Sequence, residues 1–291
     1  MVPLRAERKR TSREEEEFDE IAEELRAARE DLERKVEGLI TEDDTPVDNL
    51  FSERQQRLLT NSLYASWQVP AGKRKSSRKF LAMANVGLFP APEQEAVVVP
   101  DVLLSLDVQA PKDVKLKKHR SYFVWLYGKT PDVVIEIVSN RKGKELTDKK
   151  QRYSRMRVPY YVVYDPTRRL SLNKLTVFEL QGRNYVQRDD HWLPDIELGL
   201  TIIEGDFEGV NDHWLRWCDA KGKPLATSYE RSSQEAKRAK RETQRAKQEA
   251  QRADHEAQRA KQEAQRADRE AQRAKKLAAK LKELGIDPDK L

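Results

Sequence analysis

Cysteine is almost absent from this sequence, which has a single one, Cys218, among its 291 residues. One cysteine excludes an intramolecular disulfide, and this composition is typical of a reducing compartment. The first residues contain no apolar segment of the kind found in secretory signals. No apolar run reaches the length of a membrane span. We therefore expect a cytoplasmic protein that does not cross a membrane.

Several common catalytic motifs are also missing. The chain has no Gly-rich phosphate loop, no dinucleotide-binding glycine pattern and no serine in a nucleophile elbow. Its histidines and Cys218 do not have the spacing of zinc ligands. These kinds of chemistry therefore find little support in the sequence.

Aromatic residues are few and unevenly placed. They make up 7% of the chain, whereas charged residues make up 36%, and all five tryptophans lie between Trp67 and Trp217. This distribution predicts one folded domain over residues 47–225, a charged helical arm over 1–46 and a charged helix over 226–291. The formal net charge of +6 permits a polyanionic partner such as DNA.

The N-terminal arm has a helical pattern of apolar residues. Ile21, Leu25, Leu32 and Val36 recur at spacings that bring them to one helix face. A solvated arm and a helix that binds a partner both fit this pattern.

The C-terminal segment is a repeat. Between residues 228 and 284, alanines recur with a period of seven at two positions of each heptad. These two positions form a stripe along one side of the helix, which we call the seam. A seam of this kind is typical of a left-handed coiled coil, although alanine buries little apolar area. The pattern therefore predicts a homodimer through residues 228–284, or a single rigid helix that acts as a spacer.

The middle segment alternates between helical and strand-like patterns. A helix is predicted over 52–67, with Ser52 as its N-cap. The other predicted elements are strands near 79–89, 97–107 and 131–139, a helix over 144–156, a strand at 160–166, and a hairpin over 172–188.

Glu136 is an acidic residue in the middle of the apolar stretch PDVVIEIVSN. Alternate residues of a strand share a face, and both faces of this stretch are otherwise apolar, as in a central covered strand. A buried carboxylate is costly unless it is paired or bound to a metal. Glu136 therefore belongs either to a structural ion pair with a lysine or arginine, or to a functional site.

A second acid, Asp101, starts another apolar run, VVVPDVLLSLDV. Two carboxylates that converge from neighbouring strands form the oxygen-rich set that Mg²⁺ prefers. Lys149 lies on the next predicted helix, four residues before Tyr153, so both lie on one face. A lysine beside such a metal site can stabilise phosphate charge or position water, although a solvated surface lysine explains Lys149 alone equally well.

These stretches, in the order PD, PDVVIEIVS and DKKQRYSRMRVPYYVVYDP, resemble the putative restriction endonuclease family of the PD-(D/E)XK nuclease superfamily. The resemblance covers roughly residues 50–215. Two features depart from the family pattern: Arg157 replaces a glycine, and residues 160–162 read YYV.

The resemblance implies an α/β fold with a mixed sheet, namely a restriction endonuclease-like core that carries the N-terminal helical arm and the long C-terminal coiled-coil helix. It implies Mg²⁺-dependent cleavage of DNA, with Mn²⁺ as a substitute ion. Asp101 and Glu136 take the places of the two metal-binding acids, and Lys149 that of the catalytic lysine. Glu53 stands where related nucleases often carry an extra acid, although an exposed helix-start glutamate explains it equally well.

Two basic segments are candidates for contacts with a DNA backbone. They are GKRKSSRK at residues 72–79 and KLKKHR at residues 115–120. Solvated loops explain them as well. The alternative to a nuclease is an inactive scaffold or DNA-binding protein that keeps the nuclease fold and acts through its coiled coil.

Overall fold

The computed structural model describes residues 12–37, 39, 49–70, 78–92, 98–139, 145–170 and 173–283. Contacts divide the chain into two compact units, Met1–Ser228 and Tyr229–Leu291. The division into the three segments that the sequence suggests stays a prediction. In the described ranges, no helix combines the length and the apolar character that a bilayer crossing requires.

The first unit mixes short helices with strands. Its helices are α1 (Ser12–Glu37), α2 (Leu50–Ser66), α3 (Val124–Tyr127) and α4 (Lys150–Arg155). Its strands are β1 (Phe80–Ala84), β2 (Leu88–Phe89), β3 (Val102–Leu106), β4 (Tyr122–Phe123), β5 (Val133–Ile137), β6 (Tyr160–Tyr164), β7 (Leu175–Gln181), β8 (Asn184–Gln187), β9 (Trp192–Leu193), β10 (Leu198–Phe207) and β11 (Val210–Cys218). Shorter turns are a 3₁₀ turn at Lys117–His119 and a π turn at Glu145–Lys149.

A six-stranded mixed sheet with the order β1-β3-β5-β6-β7-β8 forms the centre of this unit. Strands β5 and β6 pair in parallel, and the other neighbours pair antiparallel. A parallel pair requires a crossover connection. The π turn and α4 lie in that crossover, so they follow β5 directly in the chain.

Both faces of β5 are covered, as its apolar sequence predicts. Val133, Ile135 and Ile137 belong to one core cluster, which also contains residues of α2, β10 and β11. Val134 and Val138 belong to a second cluster, which contains Tyr153 of α4. The period of two places Glu136 on the second face, under α4.

Helix α2 begins earlier than the sequence predicts. Its N-cap is Asn49, whose side chain accepts a hydrogen bond from the backbone N–H of Ser52 at 3.0 Å. The prediction of Ser52 as the N-cap is therefore wrong. Asn49 has the extended backbone that a cap needs, with φ −71° and ψ 166°, whereas Ser52 lies buried in the first turn.

The predicted hairpin around Gly182 is present. Strands β7 and β8 pair with Gln181 opposite Asn184. Sequence reasoning missed the three-stranded sheet β11-β10-β9 and the two-stranded sheet β2-β4. Strand β10 mixes buried and partly exposed residues and includes Glu204 and Gly205, so it lacks clean alternation.

Arg157, where the resembling family has a glycine, has φ 63°. This left-handed backbone conformation is unfavourable for residues that carry a Cβ atom. The turn between α4 and β6 therefore keeps the shape that a glycine would adopt. The guanidinium of Arg157 donates a hydrogen bond to the carbonyl of Gly182 at 2.6 Å.

The second basic segment lies against α1. Lys118 forms an ion pair with Glu33 at 2.7 Å, and the Lys117 ammonium donates to the carbonyl of Glu37. Val36 of α1 is fully buried in a small cluster with Phe89 and Phe123. The C-terminal end of α1 therefore packs on the rest of the first unit. The first basic segment falls mostly outside the described residues.

The described part of the second unit belongs to helix α5 (Ser228–Glu283), in which the described side chains are almost all exposed. A helix of this length spans roughly 80 Å. Neighbouring charges stabilise it locally, as in the ion pair between Arg238 and Glu242 at 2.9 Å.

Candidate active site

The site lies where β3 begins and β5 ends. In the antiparallel register of these strands, Val102 is opposite Ile135. Asp101 directly precedes Val102, and Glu136 directly follows Ile135, so the register brings the two acids together. The Oδ2 atom of Asp101 accepts a hydrogen bond from the backbone N–H of Ile137 at 2.6 Å.

Glu136 is buried, with 1% of its surface exposed, and both carboxylate oxygens are hydrogen-bonded. Its Oε2 atom accepts from the Lys149 ammonium at 2.7 Å, and its Oε1 atom accepts from the Tyr153 hydroxyl at 2.6 Å. The shared helix face of Lys149 and Tyr153, which the sequence predicts, is therefore the face that covers Glu136.

The π turn places Lys149 over the end of β5. Lys149 is its last residue, and α4 continues from Lys150, so Tyr153 follows one turn later. Single turns of π-helix occur frequently at functional sites. The hydroxyl of Tyr161 fixes the start of this turn by donating to the carbonyl of Glu145 at 2.7 Å.

Burial and ion pairing have opposite effects on the pKa values of the Glu136 carboxyl and the Lys149 ammonium. Burial raises the pKa of Glu136, and the nearby Lys149 and Tyr153 lower it only in part. For Lys149, burial works against the charge, but the Glu136 carboxylate outweighs it and raises the pKa of the ammonium. Lys149 is therefore a cation at neutral pH.

Gln56 completes the environment of Asp101. Its side-chain amide donates to Oδ1 of Asp101 at 2.6 Å, from the buried face of α2. Sequence reasoning missed this residue. The available signal was a polar residue on the apolar face of an amphipathic helix, which is ambiguous without knowledge of what the helix packs against.

Glu53 lies one turn before Gln56 but has a different environment. Its side chain is 52% exposed and forms an ion pair with Arg57 at 3.1 Å. Arg57 also pairs with Glu208. The contacts of Glu53 are thus those of an exposed first-turn carboxylate, and they do not join it to the Asp101–Glu136 group.

Two other acids of the sheet have structural contacts. Asp132 accepts from Lys129 and from the backbone N–H of Leu106. Asp165 caps the turn after β6 by accepting from the backbone N–H groups of Arg169 and Leu170. Asp132 therefore stabilises the start of β5, and Asp165 stabilises the turn after β6.

The donor set of the site is rich in oxygen but small. Within the described residues, no three side chains of His, Cys, Asp or Glu are arranged to hold a metal ion. Asp101 and Glu136 are thus two convergent acids. Mg²⁺ is commonly bound by one or two carboxylates, with water and substrate phosphate in the remaining positions.

The mixed sheet, with helices beside it, is the fold expected of a restriction endonuclease-like protein. The family model Uma2, described as "Putative restriction endonuclease", matches residues 15–205. The chain belongs to this family. No curated protein matches the chain.

Proposed function

We propose that this protein is a metal-dependent DNA endonuclease in which Asp101 and Glu136 bind Mg²⁺ and Lys149 assists the attack of water. One observation carries the proposal: two acids from adjacent strands and one lysine from the crossover converge at the end of β5. The Ile137 N–H joins Asp101 to this strand end, and the Lys149 ammonium contacts Glu136 at 2.7 Å.

The acids present fit a hard divalent cation. An ionised carboxylate has about four acceptor positions, and the hydrogen bonds from Lys149 and Tyr153 use only part of those on Glu136. Asp101 and Glu136 would hold the ion, with Mn²⁺ as a substitute for Mg²⁺. The bound ion would supply a more acidic water and neutralise phosphate charge.

Lys149 has the properties of a hydrogen-bond donor in this reaction. Its raised pKa keeps the ammonium protonated at neutral pH, so it does not act as the base that removes a proton from water. It can donate to a phosphoryl oxygen, where negative charge increases as water adds to phosphorus and a P–O ester bond breaks. With 30% of its side chain exposed, Lys149 can reach a substrate.

DNA is the substrate that the family membership and the positive net charge support together. Arginines and lysines attract a phosphate backbone independently of its sequence. We place the contact surface on the first unit, because it carries the proposed site.

We also propose that α5 pairs with a second copy of the chain through the seam at residues 228–284. The alanine positions repeat with a period of seven from Ala236 to Ala278, with Thr243 in place of one alanine. A strict seven-residue repeat favours a left-handed supercoil of two or more helices.

The alternative function is a scaffold or DNA-binding protein without turnover. One observation favours it: both oxygens of Glu136 are already hydrogen-bonded to protein groups. A purely structural ion pair would have the same contacts.

A plasmid assay distinguishes these functions. Supercoiled DNA is incubated with the full-length protein and Mg²⁺ or Mn²⁺, beside Glu136→Gln, Lys149→Met and the control Glu204→Gln, which alters an exposed residue of β10. We expect nicking by wild type and control, none by Glu136→Gln, and a loss of roughly 10²- to 10³-fold in Lys149→Met. Wild-type protein that never cleaves favours the scaffold. Cleavage that persists in Glu136→Gln contradicts the site.

A further inference from the structure

Glu145 is a second buried carboxylate beside Lys149. Only 6% of its side chain is exposed. Its Oε2 atom is buried and has no hydrogen-bond partner in the described part of the structure. A buried carboxylate oxygen without a partner is unfavourable by several kcal/mol in an apolar environment, so this residue requires an explanation.

Lys149 lies between two acids at unequal distances. Its Nζ atom is 2.7 Å from Oε2 of Glu136 and 3.9 Å from Oε1 of Glu145. The first distance is a hydrogen bond, and the second is an ion pair without one. The proximity of Glu145 also contributes to raising the pKa of Glu136.

The π turn produces this arrangement. Glu145 and Lys149 are its first and last residues, four positions apart, so their side chains project to the same side. The hydrogen bond from Tyr161 to the Glu145 carbonyl holds the backbone of the turn in place. A small movement of the Lys149 side chain is therefore enough to bring its ammonium to Glu145.

We propose that Glu145 is a positioning residue of this active site, which accepts the Lys149 ammonium when a divalent cation engages Glu136. This inference rests on the proposed nuclease function. In the structure the Lys149 ammonium donates to Oε2 of Glu136. If that oxygen bound a cation, the ammonium would need another carboxylate, and Glu145 has an oxygen without a partner in the described part of the structure.

The charges of the cluster agree with this exchange. The cluster holds the carboxyl groups of Asp101, Glu136 and Glu145 but only one ammonium, that of Lys149. A divalent cation would add positive charge to a group in which acids outnumber bases. The buried position of all three acids makes such compensation important.

The test is a double-substitution cycle on Mn²⁺ affinity, measured by calorimetry on the full-length protein. The variants are Glu145→Gln, Lys149→Met and the combination, with Glu204→Gln as the control for loss of one carboxylate charge. We expect Glu145→Gln to weaken Mn²⁺ binding about tenfold, because Lys149 then competes for Glu136 without an alternative partner. In the Lys149→Met background, the same substitution should change affinity less than about threefold.

Equal weakening in both backgrounds would mean that Glu145 acts through its charge alone, which overturns the inference. An unchanged affinity in Glu145→Gln also overturns it. Glu145→Asp keeps the charge and should restore part of the affinity, which separates positioning from damage to the fold. Circular dichroism and thermal unfolding of each metal-free variant check folding directly.

The same binding measurements distinguish failure of the nuclease proposal from failure of the inference about Glu145. Wild-type protein would then not bind Mn²⁺, or Glu136→Gln would bind it as tightly as wild type. If wild type binds and Glu136→Gln does not, the metal site stands whatever the outcome for Glu145.

Discussion

The carboxylate of Asp101 accepts a hydrogen bond from the backbone N–H of Ile137, the residue after Glu136, at 2.6 Å. This bond joins the start of β3 to the end of β5. The relative position of the two acids therefore depends on the backbone of the sheet, and an active-site geometry fixed in this way is well preorganised.

Substitutions of Asp101 separate this structural bond from metal binding. Asp101→Asn keeps an oxygen that can accept from Ile137, whereas Asp101→Ala leaves a buried N–H without its partner. We expect Asp101→Ala to be less stable than Asp101→Asn by about 1–3 kcal/mol in urea unfolding. Both should lose Mn²⁺ affinity in calorimetry. Equal stabilities would show that the Ile137 contact contributes nothing.

Gln56 is a position at which charge can be added to the site. Gln56→Glu places an additional carboxylate beside Asp101, so like charges repel when no cation is bound. We expect the metal-free free energy of unfolding to fall by about 2 kcal/mol, and Mn²⁺ to restore it with tighter binding than in wild type. The matched control is Gln187→Glu, on the exposed side of β8. A stability loss that Mn²⁺ does not reverse would contradict the assigned contact.

Tyr153 can be compared with another buried tyrosine. The Tyr153 hydroxyl donates to Glu136, and that of Tyr185 donates to the carbonyl of Val158 at 2.7 Å. Both phenylalanine variants lose one buried hydrogen bond, which is worth roughly 1–3 kcal/mol. Only Tyr153→Phe should lower DNA cleavage, by about tenfold, because Glu136 loses its orientation. Equal activities of the two variants would assign Tyr153 a structural role alone.

The pair of Arg78 and Asp107 predicts a pH-dependent contribution to stability. The hydrogen bonds from Arg78, at 2.9 and 2.7 Å, outweigh burial and lower the pKa of Asp107 below its usual 3.8. A carboxyl with a lowered folded-state pKa stabilises the protein above its unfolded pKa and loses this effect as the pH falls through the folded value.

Asp107→Asn tests this pair without backbone strain, because asparagine also tolerates the φ of 59° at this position. Wild type should be more stable than Asp107→Asn by less than about 1 kcal/mol at pH 7, since Asp107 is partly exposed. In urea titrations the difference should shrink as the pH falls below 3.8 and through the lowered folded-state pKa of Asp107. A difference independent of pH would exclude the ion pair as its source.

The seam of α5 is tested by two neighbouring substitutions. Ala257 belongs to the alanine repeat, and Gln258 lies beside it on the outer face. In sedimentation equilibrium, Ala257→Lys should shift the protein from dimer to monomer, because a charged side chain opposes close packing at a seam position. Gln258→Lys should leave the distribution unchanged. A monomeric wild type at all concentrations would leave α5 as a single helix.

Local patterns were sufficient to predict the central part of the site. The period of two in PDVVIEIVSN predicts the buried side of Glu136, and the spacing of four predicts the common face of Lys149 and Tyr153. Both elements are short, and their partners are close in the chain. The mixed sheet and the family followed from the same stretches, and both are confirmed.

Contacts between distant segments were not predictable in this way. Gln56 is 45 residues from Asp101 in the chain, and its role depends on how α2 docks on the sheet. In the sequence, Glu145 looks like any other charged residue near a helix start. Its burial was not predictable, because it depends on the π turn. The same limitation applies to strands β9–β11, whose mixed polarity reflects packing against α2.

The ion pair between Lys149 and Glu136 has a consequence for how the protein is made. Structural zinc domains do not fold until their ion is present. Here a lysine of the chain itself supplies a positive charge inside the acidic cluster. We therefore expect the fold to form without a bound ion, so that under the proposed function chelators remove activity while the folded protein survives.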